Sequence, residues 1–125
     1  MICLDTNYLI LSLVGGTSEE RQVQDLLSKR ETLHISAIVW TEFLCGPVDP
    51  RQLSLARQLF PVPEPFVSQD SGIAAELFNH TGRRRGSILD CMIASVALRL
   101  NAPLATNNVS DFERFAPWGL KLLTP

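Results

Sequence analysis

Three acids stand where they could act on one substrate. Asp5 closes the apolar run Met1-Ile2-Cys3-Leu4, Glu42 lies inside the apolar segment Ile38 to Leu44, and Asp90 falls in the first turn of a helical pattern that starts at Ile88. Polar tips recur at other segment ends. Thr6 and Asn7 follow Asp5, Thr106-Asn107-Asn108 follow Leu104-Ala105, and Asp111 comes soon after. Carboxylates gathered within a few ångströms repel unless some are protonated or a cation neutralises them. A hard divalent ion, Mg2+ or Mn2+, takes carboxylate oxygens and often binds together with substrate phosphates. Such a site activates water and stabilises charge on a phosphodiester without a nucleophilic Ser or Cys.

Each of these residues also has a simpler reading. Asp5 or Thr6 can cap the helix that follows. Ser87 and Asp90 have the spacing of a capping box, and an acid in a first turn suits the helix dipole. Glu42, beside Trp40 and Phe43, is either on a solvent edge or held for a purpose. Arg83-Arg84-Arg85 before Gly86 is either a solvated loop or a phosphate contact near Asp90. Cys91 has no histidine at a spacing that recommends a dyad, and His34 alternates with Leu33 and Ile35 as a surface strand residue would. There is no Gly-rich phosphate loop.

The elements that must position these side chains follow from apolar periodicity. Met1–Leu4, Leu33–Ser36 and Leu104-Ala105 are short apolar runs of strand type, Phe66-Val67 is a short strand or an extended lead-in, and Leu120–Leu123 reads as an edge strand. Helical patterns fill the intervals. They run from Tyr8 to Gly15-Gly16, from Ser18 to Lys29-Arg30, from Ile38 to Gly46-Pro47, from Asp49-Pro50 to Phe60, and from Asp70 or Ser71 to Thr81-Gly82. The last begins at Ser87 and ends at Asn101-Ala102-Pro103. Its apolar positions Ile88, Leu89, Met92, Ile93, Val96, Ala97 and Leu100 predict a well-buried helix. About five strands alternating with helices predict a three-layer α/β domain with a mainly parallel sheet, a single domain over residues 1–125. Parallel strands would put the polar tips on one edge of the sheet, where ligands of such folds bind.

Composition narrows the class. The chain has 125 residues, 46% of them hydrophobic, which suits one domain with its own core. A net charge of −2 does not mark a nucleic-acid binder, so any polyanion must meet a local patch or bound cations. The three cysteines are scattered and have no metal-ligand spacing, which reads as reduced and cytoplasmic. No apolar run nears the roughly 18 residues of a membrane span, and the N-terminus lacks the basic flank of a signal peptide.

Four segments in order resemble the PIN-domain ribonucleases. They are Ile2-Cys3-Leu4-Asp5-Thr6-Asn7, Ser36 to Phe43, Asp90-Cys91-Met92-Ile93-Ala94-Ser95, and Ala105 to Phe112. VapC-type toxins of bacterial toxin–antitoxin pairs are the nearest match, and the resemblance covers essentially the whole chain. It implies an endoribonuclease in which Asp5, Glu42 and Asp90 hold Mg2+ or Mn2+ while Thr6 and Thr106 orient the carboxylates and their waters. Cleavage would leave 5′-phosphate and 3′-hydroxyl ends. It further implies a homodimer and a small antitoxin whose tail docks on the toxin. Trp40, Phe43, Leu44, Leu9 and Leu13 are either a groove for that tail or simply core. Asn108 is a departure, since the family often has a fourth acid there; Asn can still offer a neutral oxygen, and Asp111 is the nearest acid. That departure keeps a second reading open, a catalytically silent PIN-like module that binds RNA or protein. A third, an α/β hydrolase of a phosphorylated small molecule, would need a closed pocket and a defined nucleophile. Arg83, Arg84 and Arg85 are the candidate RNA-backbone contacts.

Overall fold

Three consecutive buried residues with a β-branched start, Ile2–Leu4, form β1 at the middle of the sheet. A strand apolar on every residue has both faces covered, and that is what a parallel sheet between helices requires. The structure, a computed structural model, describes residues 1–123. After β1 the chain runs through α1 (Thr6–Ser12) and α2 (Ser18–Ser28) to β2 (Leu33–His34). It continues through α3 (Ala37–Cys45), α4 (Pro50–Leu59), α5 (Ser68–His80) and α6 (Ile88–Arg99) to β3 (Leu104–Ala105). Then come α7 (Val109–Phe112), a 3₁₀ helix (Glu113–Trp118) and β4 (Leu122–Leu123).

All three strand pairings are parallel and the order is β2-β1-β3-β4. The chain leaves β1 toward one edge and leaves β3 toward the other. Right-handed connections running in opposite directions lie on opposite faces, which gives three layers. The reversal falls between β1 and β3. Their register pairs Cys3 with Leu104 and Leu4 with Ala105, so the next residues, Asp5 and Thr106, emerge side by side.

The sheet has four strands among the described residues, where the sequence predicts about five. Phe66-Val67 is an extended lead-in to α5. Beside it a single parallel bridge, Ser36 to Glu64, stands where a fifth strand would lie. Pro61, Pro63 and Pro65 remove three of the amide donors a ladder needs. The bridge still caps the edge of β2 through Glu64 N–H to Ile35 C=O at 2.8 Å and Ala37 N–H to Glu64 C=O at 2.7 Å.

The predicted α6 differs in two ways. Ile88 and Leu89 are exposed and burial begins at Cys91; the two side chains line separate apolar surface clefts, Leu89 with Ile38 and Cys45 and Ile88 with Phe66 and Met92. The capping box does not form either. Ser87 is in helical geometry and its hydroxyl donates to Arg84 C=O at 2.7 Å, so Asp90 is not a cap. The α5 helix starts at Ser68, ahead of the expected Asp70 or Ser71, with Asp70 Oδ2 accepting Val67 N–H at 3.0 Å. Leu9, Leu13 and Phe43 belong to the core, and Phe43 stacks on half-buried Trp40 with centroids 5.5 Å apart. Of the residues considered for a groove, only Leu44 is exposed.

Candidate active site

Asp5 holds the centre of the site and does two jobs. It is the N-cap of α1, with Oδ1 accepting Thr6 N–H at 2.8 Å. Its Oδ2 accepts the Thr106 hydroxyl across the switch point, also at 2.8 Å. Thr106 is itself held, because its Oγ1 accepts Asn108 N–H at 2.9 Å. A relay therefore runs from the Asn108 amide through Thr106 to Asp5, and Asn108 joins it through its backbone, its side chain being exposed.

Thr6 ties in the second acid. Its hydroxyl donates to Glu42 Oε1 at 2.8 Å, so one threonine addresses Asp5 with its amide and Glu42 with its side chain. Glu42 reaches this point because Ser36 caps α3, accepting Val39 N–H at 3.1 Å, and Val39 and Phe43 anchor the helix in the core. Asp90 arrives from the first turn of α6, and Asp111 from α7.

The electrostatics bind these four acids into one group. Burial pushes the Asp5 carboxyl above the ordinary range, the hydrogen bonds from Thr106 and Thr6 hold it down, and the charges of Glu42 and Asp111 push it up again. Burial also drives Asp90, whose pKa is pushed up to about 6, with the charges of Asp5, Asp111 and Glu42 adding to the rise and Arg114 opposing it. The Asp90 environment is one that disfavours a bare negative charge.

The donors suit a hard cation, since they are carboxylates with threonine hydroxyls close by and no His or Cys ligand. Among the described residues no three His, Cys, Asp or Glu side chains form a ready chelating set.

The arginine run splits. Arg84 and Arg85 line a small cleft of about 100 Å3 with Asp90 and Asp111. Arg83 turns back to α5, where it bonds to Asn79 and lies over the Phe78 ring, 5.5 Å from its centroid. The same cleft contains a residue the sequence did not single out, Arg114, whose Nη2 stands 3.8 Å from Asp90 Oδ2. The only signal for it was its place three residues beyond Asp111. On the Glu42 side lies a second, mostly apolar cleft of about 390 Å3, lined by Ile38, Thr41, Cys45 and Leu89. All three cysteines are free; Cys91 is fully buried, which raises its thiol pKa and keeps it from solvent and substrate.

A parallel α/β sheet with mutually repelling acids at its topological switch defines a class. The family model for the PIN domain matches residues 2–116, and the chain belongs to that family. Solved structures carry the likeness further, to toxin–antitoxin proteins. A chain of VapBC2 from Rickettsia felis, crystallised on a DNA fragment from its promoter, is 26% identical with a TM-score of 0.77, covering 98% of each chain. A chain of VapBC-1 from nontypeable Haemophilus influenzae is 26% identical with a TM-score of 0.72, covering 98% of this chain and 97% of that one. VapC20 of Mycobacterium tuberculosis, a toxin that cleaves the sarcin–ricin loop, shares the fold at 16% identity, with a TM-score of 0.68 over the whole of both chains. Among curated proteins none matches. No helix among the described residues is long and apolar enough to cross a membrane.

Proposed function

We propose that this protein is a Mg2+- or Mn2+-dependent endoribonuclease, the toxin of a VapC-type toxin–antitoxin pair. The observation that carries the reading is the pairing of Asp5 and Glu42 through Thr6, beside an Asp90 whose charge its neighbours oppose. Asp5, Glu42 and Asp90 are the residues that would hold the ion. Bound there, a divalent cation supplies Lewis-acid stabilisation of the phosphodiester and neutralises the acids' repulsion. Thr6 and Thr106 fix the carboxylate rotamers, so the acids are oriented before substrate arrives. RNA as the substrate rests on the family and on the activity of VapC20.

An antitoxin partner is supported by the VapBC assemblies among the structural neighbours. The apolar cleft beside Glu42 offers the tail of such a partner a seat next to the acids. Homodimerisation and a cytoplasmic location complete the proposal. One observation favours a second reading, a silent PIN-like module. Asn108 stands at the position where the resemblance leads one to expect a fourth acid.

Cleavage of a mixed panel of tRNA and structured RNA by the purified chain separates the two. The assay is run with Mn2+, with Mg2+ and with EDTA, beside Asp90→Asn, after removal of any co-purified antitoxin. Metal-dependent cutting that falls more than about 100-fold in the variant supports the nuclease, since even residues behind the ligands typically cost about 10- to 100-fold. Raised thermal stability of the wild type in Mn2+, with no cutting of any RNA, supports the silent module.

A further inference from the structure

The two clefts beside the acids are unlike, and the one at Asp90 is basic. Arg84, Arg85 and Arg114 line it against Asp90 and Asp111, so cations outnumber anions there in a protein whose net charge is negative. Arg84 and Arg85 are exposed on the turn between α5 and α6. Arg114 is built in. Its guanidinium lies over the Phe115 ring, 4.7 Å from the centroid, and its side chain is only 15% exposed. Stacking on an aromatic face holds the guanidinium plane.

The hydrogen bonding of Arg114 is incomplete. Its Nε and Nη1 are buried and find no partner among the described residues. Its Nη2 sits 3.8 Å from Asp90, beyond the roughly 2.7–2.9 Å of a charge-assisted bond. Buried donors are almost always satisfied, and each one left over needs an explanation. Arg114 lines the basic cleft, where its Nη2, the guanidinium nitrogen that is not fully buried, can donate to a phosphate, while the buried Nε and Nη1 leave its charge poorly solvated and in need of an anion.

We propose that Arg114, with Arg84 and Arg85, forms a phosphate-binding subsite that holds the RNA backbone at a phosphate next to the scissile one. The placement of that phosphate rests on the nuclease reading above, whereas phosphate binding does not. The subsite gives a strongly anionic strand a foothold beside four carboxylates that would otherwise repel it. Arg83, engaged with Asn79 and Phe78, takes no part.

The test measures binding without chemistry. Affinity of the full chain for a fluorescent single-stranded RNA of mixed sequence is followed in EDTA over a range of salt. Arg114→Ala is expected to weaken binding about tenfold or more and to lower the slope of log K against log salt by about 0.7, the loss of one phosphate contact on a single strand. Arg114→Lys restores the slope and only part of the affinity, because a point charge replaces a fork. Arg84→Ala/Arg85→Ala, at exposed positions that do not endanger folding, lowers the slope further, and Arg83→Ala leaves it unchanged. If Arg114→Ala unfolds the protein, the double variant decides. Wild-type slope and affinity in the folded variants overturn the subsite, even where the wild type still cuts RNA with Mn2+. Lowered slopes in a protein that never cuts leave the subsite standing and remove the nuclease.

Discussion

Two groups of acids in this molecule are buried to similar depth and treated in opposite ways. Asp70 has no exposed surface, yet every demand of its carboxylate is met. Oδ2 accepts Val67 N–H, and Oδ1 accepts Arg99 Nε at 2.7 Å. Arg99 also reaches Pro65 C=O at 3.0 Å and stands 3.7 Å from Glu64, which fastens the proline-rich segment to α6. Asp5 is 5% exposed and receives two hydrogen bonds from neutral donors; burial raises its pKa and that of Asp90, and the charges of the neighbouring acids add to the rise in both. The first group is closed, with its charges matched inside the protein. The second is open, with charge left over for something that arrives later. A paired buried acid therefore reads as architecture, and a repelling set of acids at a sheet edge reads as a binding site.

The contrast is broken most severely at Arg99. Arg99→Ala strands a fully buried carboxylate, and the expected loss is about 3–5 kcal/mol of unfolding free energy, read by urea denaturation. An unchanged midpoint would show that the closed cluster does no more for stability than the open one. Thr106→Val probes the open cluster with little change of shape. It removes the hydroxyl between Asp5 and the Asn108 amide. Cleavage should fall about 10- to 100-fold, whereas stability should fall by only about 1 kcal/mol. A drop in stability with full activity would make Thr106 a structural residue.

The third effect is electrostatic and has the opposite sign. The pKa of Asp90 is about 6 in the folded chain and that of a free aspartate is about 4. Between those values the folded state holds a proton that the unfolded chain releases. Stability of the metal-free protein from this group is therefore present below about pH 4 and is lost as pH rises to about 6. Asp90→Asn should flatten that slope and raise the melting temperature at pH 7, while abolishing cleavage. A variant less stable than wild type at pH 7 would show that Asp90 is an architectural acid like Asp70.

The open cluster was the more legible of the two. Asp5 and Thr106 are read from their places after short apolar strands, and strand ends are where such folds gather chemistry. Glu42 is conspicuous as an acid in an apolar helix. Asp70 and Arg99 are 29 residues apart and neither looks unusual, so their pairing is set by the packing of α5 on α6 and leaves no local trace. Arg114 was missed for a related reason. It sits in a 3₁₀ helix containing Pro117, where no apolar period exists to read, and its partners come from the turn before α6 and from α7. The exposure of Ile88 and Leu89 shows a limit of periodicity. A stripe of apolar positions gives the face of a helix but not how far along the helix the protein body extends.

The register between β1 and β3 acts as a ruler. Two residue pairs lie between these strands, Cys3 with Leu104 and Leu4 with Ala105, and with the Asp5 N–H to Ala105 C=O bond they set Asp5 opposite Thr106. One residue inserted or deleted in either strand slides the partners by about 3.3 Å and turns alternate side chains to the other face. Surface connections such as the turn at Gly15-Gly16 have no such gauge to keep. The molecule is therefore unevenly tolerant of changes in length, and its least forgiving stretch holds the residues before the acid and not the acid itself.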